Sequence, residues 1–485
     1  MSSKGSQYLY ILCSIMLAVF LGHGGRVKAQ AVTPSNPNDR RPFDPGVRAG
    51  AVGAGQALST VAQTPGASEY FSAGLDRFQE VEVVTSSDPN AHTGLGPRFN
   101  SNQCSSCHSQ PAIGGSSPSA SVFPHVGMNP ETEVFNLAGA NNTLPSFITP
   151  DGPAREARFV FFMNPDGSPS HNPDGGVHDL FVISGRFDAG NCNILQPDFA
   201  NAVAKNNVIF RIPTPVFGAG LIENIADETI TANMNANSRD KQQLGIEGHP
   251  NRNGNDGTIS RFGWKAQNKS LEIFAGEAYN VEMGVTNEMF PNERPSPDEA
   301  QDAGLPASCK LNPTPEDTTS FATASTQVPS DVVMFATFMR LLAPPTPSTT
   351  TPGGSISISR GGQNFTHIGC ALCHTPSLKT APSSVTPAMS QSEANLFSDL
   401  LVHNMGRNLA DGVSQGTATG DEFRTAPLWG LGQRIFFLHD GRSTDLLDVI
   451  KQHSSRGSEA NGVIRNFDRL ESRQQQDILN FLRSL

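Results

Sequence analysis

The sequence predicts a mainly α-helical fold of two units, the first enlarged by insertions that bring in some β structure. Three observations lead there. A Cys-x-x-Cys-His turn occurs twice, at residues 104–108 and 370–374, near the start of two successive blocks. The chain closes on an amphipathic stretch, Ser472 to Leu485, whose Ile478, Leu479, Leu482 and Leu485 share one helical face, with Ser472 and Gln475 as a capping box. The strand-like runs, Arg158 to Phe162 and Leu180 to Ile183, are short and confined to the first block.

The rest of the chain is organised around those turns. Residues 1–29 read as an export signal. Lys4 opens it, Tyr8 to Leu21 is an apolar run of 14, and Val27-Lys28-Ala29 offers a small-x-small cleavage site. A membrane span needs ~20 apolar residues, so the protein is expected to be periplasmic or otherwise exported after cleavage. Residues 30–65 are rich in Pro, Gly and Asn and predict an extended arm, followed by a first block over 66–342. Residues 343–356 (APPTPSTTTPGGSI) predict a linker, and 357–485 a small helical unit in which Leu396, Leu400 and Leu401 predict a helix from Gln391 to Val402. Two stretches recur between the blocks. Arg211 to Gly220 (RIPTPVFGAG) parallels Arg424 to Gly432 (RTAPLWGLG), and Arg261 to Glu272 parallels Phe437 to Leu447, which predicts a duplicated unit. The net charge of −11 excludes non-specific nucleic-acid binding, which needs a basic surface.

Six cysteines remain once the signal is removed, and their spacing states their chemistry. In Cys104-Ser-Ser-Cys107-His108 and Cys370-Ala-Leu-Cys373-His374, two thiols on one turn can add across the two vinyl groups of a porphyrin. The histidine that follows then presents its imidazole to the iron. Two covalently bound haem c groups, with His108 and His374 as proximal ligands, make the predicted units two cytochrome c-like haem domains. A C-terminal amphipathic helix beside the haem turn is what such a unit needs. Cys192 and Cys309 are left over, as a disulfide or as two buried thiols.

The chain resembles the di-haem oxidoreductase family of peroxidase-like proteins, also labelled thiol oxidoreductases, and more distantly the bacterial di-haem cytochrome c peroxidases. The residues carrying the match are GLGPRFNSNQCSSCHSQPAIGG (94–115), RIPTPVFGAGLIENI (211–225), RFGWKA (261–266), VEMGVTNEMFP (281–291), IGCALCHTP (368–376), HNMGRNLADG (403–412) and EFRTAPLWGLGQRIFFLHDGR (422–442). The resemblance implies two unlike haems: an N-terminal one where peroxide reacts and a six-coordinate C-terminal one that receives electrons from a small redox donor, a cytochrome c or a cupredoxin. It implies Glu282 as the acid–base carboxylate over the first haem, with Glu223 as a second candidate, and Trp264 as the aromatic through which electrons cross. Met405 is the expected sixth ligand of the second haem, with His403 as runner-up. Two departures stand out. The glutamine that accompanies the acid in the peroxidases is replaced by Glu272 or Ile273, and Glu422 stands where their ligand methionine falls. His125 could be a loop ligand and His439 or Arg442 a propionate partner, though surface and structural roles fit these three better. Calcium between the units is common in the wider superfamily, but no Asp/Glu spacing here demands it. The leading expectation is an oxidoreductase that reduces hydrogen peroxide or oxidises a bound substrate. The alternative is a non-enzymatic di-haem electron carrier. A thiol oxidoreductase finds no support, since haem claims both Cys-x-x-Cys pairs.

Overall fold

A computed structural model describes residues 41–88, 91–118, 129–135, 139–294, 305–320, 329–383 and 387–485. The expected signal 1–29, the start of the arm and His125 lie outside them. Among the described residues the fold is mainly α, with 13 helices and six sheets of two or three short strands.

Six helices carry the architecture: α1 (Ala67–Phe78), α2 (Leu271–Met283), α3 (Asp331–Leu341), α4 (Gly354–His367), α5 (Leu446–Gln452) and α6 (Ser472–Ser484). Local chemistry sets their ends. The Ser270, Ser330 and Asp445 side chains accept from backbone N–H groups in the first turns of α2, α3 and α5, and Gly284 closes α2 in the left-handed conformation. The last helix is capped by Glu471 with Gln474 in a reciprocal capping box, one residue earlier than the sequence suggests.

Two glycine crossings build the two cores. α1 packs on α3 at Gly74, where a Cβ would lie 2.7 Å from the Met334 carbonyl oxygen. Phe71 and Phe78 flank this contact, with ring centroids 5.5 and 4.9 Å from Phe338. α4 packs on α6 at Gly361, where a Cβ would lie 2.0 Å from the Asp477 carbonyl oxygen. In each unit the glycine-bearing helix precedes the Cys-x-x-Cys-His turn, and the helix it crosses ends the unit.

The duplication extends into the loops. Phe262 bridges Asn268 and Phe437 bridges Ser443, two loops of equal length, and each is followed two residues later by the N-cap of a helix, Ser270 and Asp445. The repeats interlock. The Ile212 N–H donates to the His439 carbonyl and the Arg424 N–H to the Trp264 carbonyl, both at 2.8 Å. The Trp264 and His439 rings meet edge to face, 6.5 Å apart. Each repeat's RIP- or RTA-type strand therefore leans on the other repeat's loop.

The insertion into the first unit carries most of the β structure. Glu156–Phe159 lies between Val177–His178 and Val208–Arg211, Phe161–Met163 forms a hairpin with Pro169–Pro173, and Arg98–Phe99 pairs with Phe181–Val182. Cys192 and Cys309 form a disulfide that ties this insertion to the segment before α3.

The helix expected over 391–402 is absent. Glu393–Ala394 pairs antiparallel with Leu378–Lys379, and Phe397 and Leu400 take φ values of +51° and +63°, outside any right-handed helix. The Ser398 hydroxyl and Asp399 carboxylate accept from the Leu400 and Leu401 N–H groups instead. All three leucines are buried because the segment threads the core, so their spacing records burial and not a helical face. Residues 343–356 are held by backbone bonds, Ala343 to Gln56, Thr346 to Gly53 and Ser348 to Ser484, before α4 begins at Gly354. The described part of the arm crosses the C-terminal unit. Its Asp44 makes a bidentate ion pair with Arg483, both bonds 2.7 Å, with the two side chains 5% and 1% exposed. No helix among the described residues is long and apolar enough to cross a membrane.

Candidate functional site

Cys104–Cys107 forms a single helical turn after the extended Gln103, and both cysteines and His108 line a cavity of about 360 Å³ between the first core and the inserted sheet. The turn is anchored from both sides: Met283 Sδ lies 3.7 Å from Cys104 Sγ, and the Phe78 ring lies 6.0 Å from the His108 ring. His108 Nδ1 donates to the Gly115 carbonyl at 3.0 Å, which places the proton on Nδ1 and leaves Nε2 as the ligating nitrogen. Burial pushes this imidazole down to about 4 against the opposing pull of the Gly115 and Thr214 carbonyls, so it is neutral at neutral pH. The second turn repeats the arrangement. His374 Nδ1 donates to the Phe397 carbonyl at 3.0 Å, and burial again brings the imidazole to about 4. Burial raises the Cys104 and Cys370 thiols to about 12.

Opposed carboxyl groups stand in the first cavity. Glu282, at the C-terminal end of α2, accepts from Asn100 Nδ2 at 2.8 Å and shares a hydrogen bond with Glu156. Glu156 in turn accepts from Arg158 Nε at 2.6 Å. Burial and the neighbouring Glu156 charge hold Glu282 well above the usual carboxylate range. For Glu156 burial acts in the same upward sense but is outweighed by the Arg158 charge and the bond from Glu282, so its carboxyl lies below its ordinary value. Of the pair, Glu282 is therefore the carboxyl that holds a proton more tightly and Glu156 the one that ionises first. A retained, buried proton beside a cationic reservoir is the equipment of a general acid. Glu156 has no signal in the sequence, because strand pairing in the insertion brings it to Glu282.

The other predicted residues are spread around this cavity and behind it. Trp264 lines the cavity, donates from Nε1 to the Ile212 carbonyl at 2.8 Å, and belongs to a buried cluster with Ile212, Phe423 and Phe436. Met405 packs against that same cluster, whereas Cys370 and Cys373 pack against the core of the C-terminal unit. His403 is buried with both ring nitrogens engaged, Nδ1 by Glu459 at 2.7 Å and Nε2 by Asp399 at 3.0 Å. Glu223 is occupied by Arg340 and by the Leu271 N–H at the start of α2. His439 stacks on Phe423, and Arg442 pairs with its neighbour Asp440. Glu80, Glu82, His92 and Asp331 gather closely, but Arg77 already bridges Glu80 and Asp331.

Two buried arginines between the units bear on the cofactor. Arg434 is 6% exposed, and its Nε and Nη2 are buried without a hydrogen-bond partner among the described residues. Beside it in a small cavity walled by Trp264 and Trp429 lies Arg424, whose hydrogen bonds among the described residues go to the Gly263 and Thr425 carbonyls and which feels the Asp399 charge. Burial brings both guanidinium groups down to about 10, still charged. A buried cation without a carboxylate is costly unless an anion completes it, and a porphyrin propionate is such an anion. Two attachment turns, two imidazoles with Nδ1 fixed and an uncompensated guanidinium together fit a pair of haems.

The family model described as "Di-haem oxidoreductase, putative peroxidase" matches residues 162–485. The chain belongs to the di-haem oxidoreductase family. The matched span holds the second attachment turn, Trp264 and Glu282, while the first turn precedes it and stands on its own geometry. No curated protein matches the chain. Among solved structures, a hydrazine synthase from Kuenenia stuttgartiensis, determined under 20 bar of xenon, is 17% identical over 33% of this chain and 56% of its own, with a TM-score of 0.21. This chain thus spans little more than half of that one. Family membership implies haem cofactors and supports a redox role.

Proposed function

We propose that this protein is an exported di-haem c-type oxidoreductase. Electrons from a small donor, a cytochrome c or cupredoxin, enter at the C-terminal haem and are used at the N-terminal haem to reduce hydrogen peroxide. Cys104 and Cys107, and likewise Cys370 and Cys373, would hold the haems as thioethers, with His108 and His374 as ligands. The observation that carries the reading is the Glu282–Glu156 pair in the same cavity as the first attachment turn.

The haem, when bound, supplies the iron that exchanges electrons with the substrate. The polypeptide manages protons and position. Reduction of one peroxide to two waters consumes two electrons from the donor and two protons from solvent. Glu282 holds a proton inside the cavity, where it can be given to a departing oxygen and regained, and Asn100 fixes the carboxyl that does this. Glu156 stays ionised against Arg158, so protonated Glu282 is the acid of the pair. Trp264 lies between the cavity and the cluster that joins the two repeats, the position an electron-crossing aromatic requires. The net charge of −11 favours a donor with a basic face.

The test is peroxide turnover by the haem-loaded protein with a reduced donor. Glu282→Gln should lower kcat by about 10²–10⁴-fold, the usual worth of a general acid–base group, with haem content unchanged. An unaltered rate removes Glu282 from the mechanism. A wild-type spectrum indifferent to peroxide returns the protein to the alternative, a di-haem electron carrier.

A further inference from the structure

Tyr279 lines the N-terminal cavity from α2 and is 2% exposed, yet proton transfer by Glu282 does not call on it. Three helices carry a series of rings from the first attachment turn to this side chain. The His108 imidazole meets Phe78 of α1 at 6.0 Å between centroids, and Phe78 meets Phe335 of α3 edge to face at 6.2 Å. Phe335 in turn meets Tyr279 at 5.0 Å, with the ring planes at 90°. At the far end the phenol has somewhere to put a proton. Its hydroxyl lies 3.0 Å from Glu82 Oε1 and 3.2 Å from Asp331 Oδ2, both within reach for proton transfer. Burial raises Glu82 to about 8, so Asp331, ion-paired with Arg77 at 3.4 Å, is the readier acceptor at neutral pH. Trp264 has no such partner, since its Nε1 donates to the neutral Ile212 carbonyl.

We propose that Tyr279 is a redox-active residue that takes up one of the two oxidising equivalents peroxide delivers at the N-terminal haem. The proposal rests on the di-haem peroxidase reading above and deepens it. One electron leaves the Tyr279 ring for the oxidised haem by way of the aromatic series. The phenol proton moves to Asp331 Oδ2, which leaves a neutral phenoxyl. An electron from the donor and the same proton then restore the phenol, so each peroxide still consumes two electrons and two protons. A cytochrome or cupredoxin gives up one electron at a time. Two-electron chemistry with such a donor needs a place inside the protein for the waiting equivalent.

Freeze-quench EPR of the haem-loaded protein mixed with hydrogen peroxide, without donor, tests this. Tyr8 and Tyr10 fall within the expected signal, so the exported chain has two tyrosines, Tyr279 and the 57%-exposed Tyr70. The wild type should show a free-radical signal that ring-deuterated tyrosine narrows. Tyr279→Phe should abolish it, Tyr70→Phe should leave it, and Asp331→Asn should reduce its yield, with haem content unchanged in each. A signal that survives Tyr279→Phe overturns the assignment, and an unchanged yield in Asp331→Asn overturns the proton route. So does a haem that responds to peroxide with no signal narrowed by ring deuteration overturn the assignment, a criterion that needs no variant to fold. A haem spectrum indifferent to peroxide, or protein without haem, refutes instead the reading on which the proposal rests.

Discussion

Replacement of Gly361 by alanine probes the helix crossing that supports the second haem turn. At this position a Cβ would sit 2.0 Å from the Asp477 carbonyl oxygen and 2.6 Å from both the Asp477 carbonyl carbon and Phe481 Cβ. The obstacle is mainly backbone, so no rotamer change relieves it, and α6 must retreat from α4 by more than about 1 Å to restore ordinary contact. Overpacking of this kind costs about 1–3 kcal/mol or more, while Gly→Ala within a helix returns at most about 1 kcal/mol. The crossing also fixes the core that receives Cys370, so the net expectation is a loss of ~2 kcal/mol in the C-terminal unit. Gly362 is the internal control. A Cβ there meets nothing nearer than Phe481 Cε2 at 3.4 Å, so Gly362→Ala should be neutral or stabilising by up to about 1 kcal/mol. Guanidinium unfolding of the haem-loaded variants, followed by far-ultraviolet circular dichroism and Soret absorbance, measures both. Wild-type stability in Gly361→Ala, or greater damage from Gly362→Ala, would refute the close-crossing argument.

Asp44→Asn should cost about 3–5 kcal/mol in the same unfolding experiment, because it leaves the Arg483 guanidinium buried without its counter-charge; a change within experimental error would show that the arm is dispensable to the fold. Burial raises the Glu316 carboxyl, which accepts from the Thr286 N–H and hydroxyl, to about 7. With the folded value above the unfolded one, its stabilising contribution is complete below about pH 4.5 and is lost as pH rises through 7. Wild type should therefore weaken relative to Glu316→Gln between pH 5 and 8 by on the order of 2 kcal/mol, and parallel stability–pH curves would contradict this.

The legible part of this protein was local. A Cys-x-x-Cys-His turn places two thiols and an imidazole by covalent proximity alone, so Cys104, Cys107, His108, Cys370, Cys373 and His374 could be read from spacing. The final helix was legible for a related reason: Ile478, Leu479 and Leu482 repeat on one face of a segment with polar residues elsewhere. Where burial is not one-sided, periodicity misleads. Leu396, Leu400 and Leu401 imitate a helical face because the core surrounds their segment on all sides. The repeated RIP/RTA and Phe-containing stretches announced a duplication, but not that the two copies exchange backbone hydrogen bonds through His439 and Trp264.

Sequence by itself determined the two Cys-x-x-Cys-His turns and the histidine that follows each, and the family resemblance singled out Glu282 as the expected acid. Only the tertiary structure decided what stands beside them. Glu156 reaches Glu282, 126 positions further along the chain, because a strand of the insertion runs along the cavity. Proton affinity and ligand choice depend on neighbours within a few ångströms, and those neighbours are set by long-range packing, which no spacing along the chain encodes.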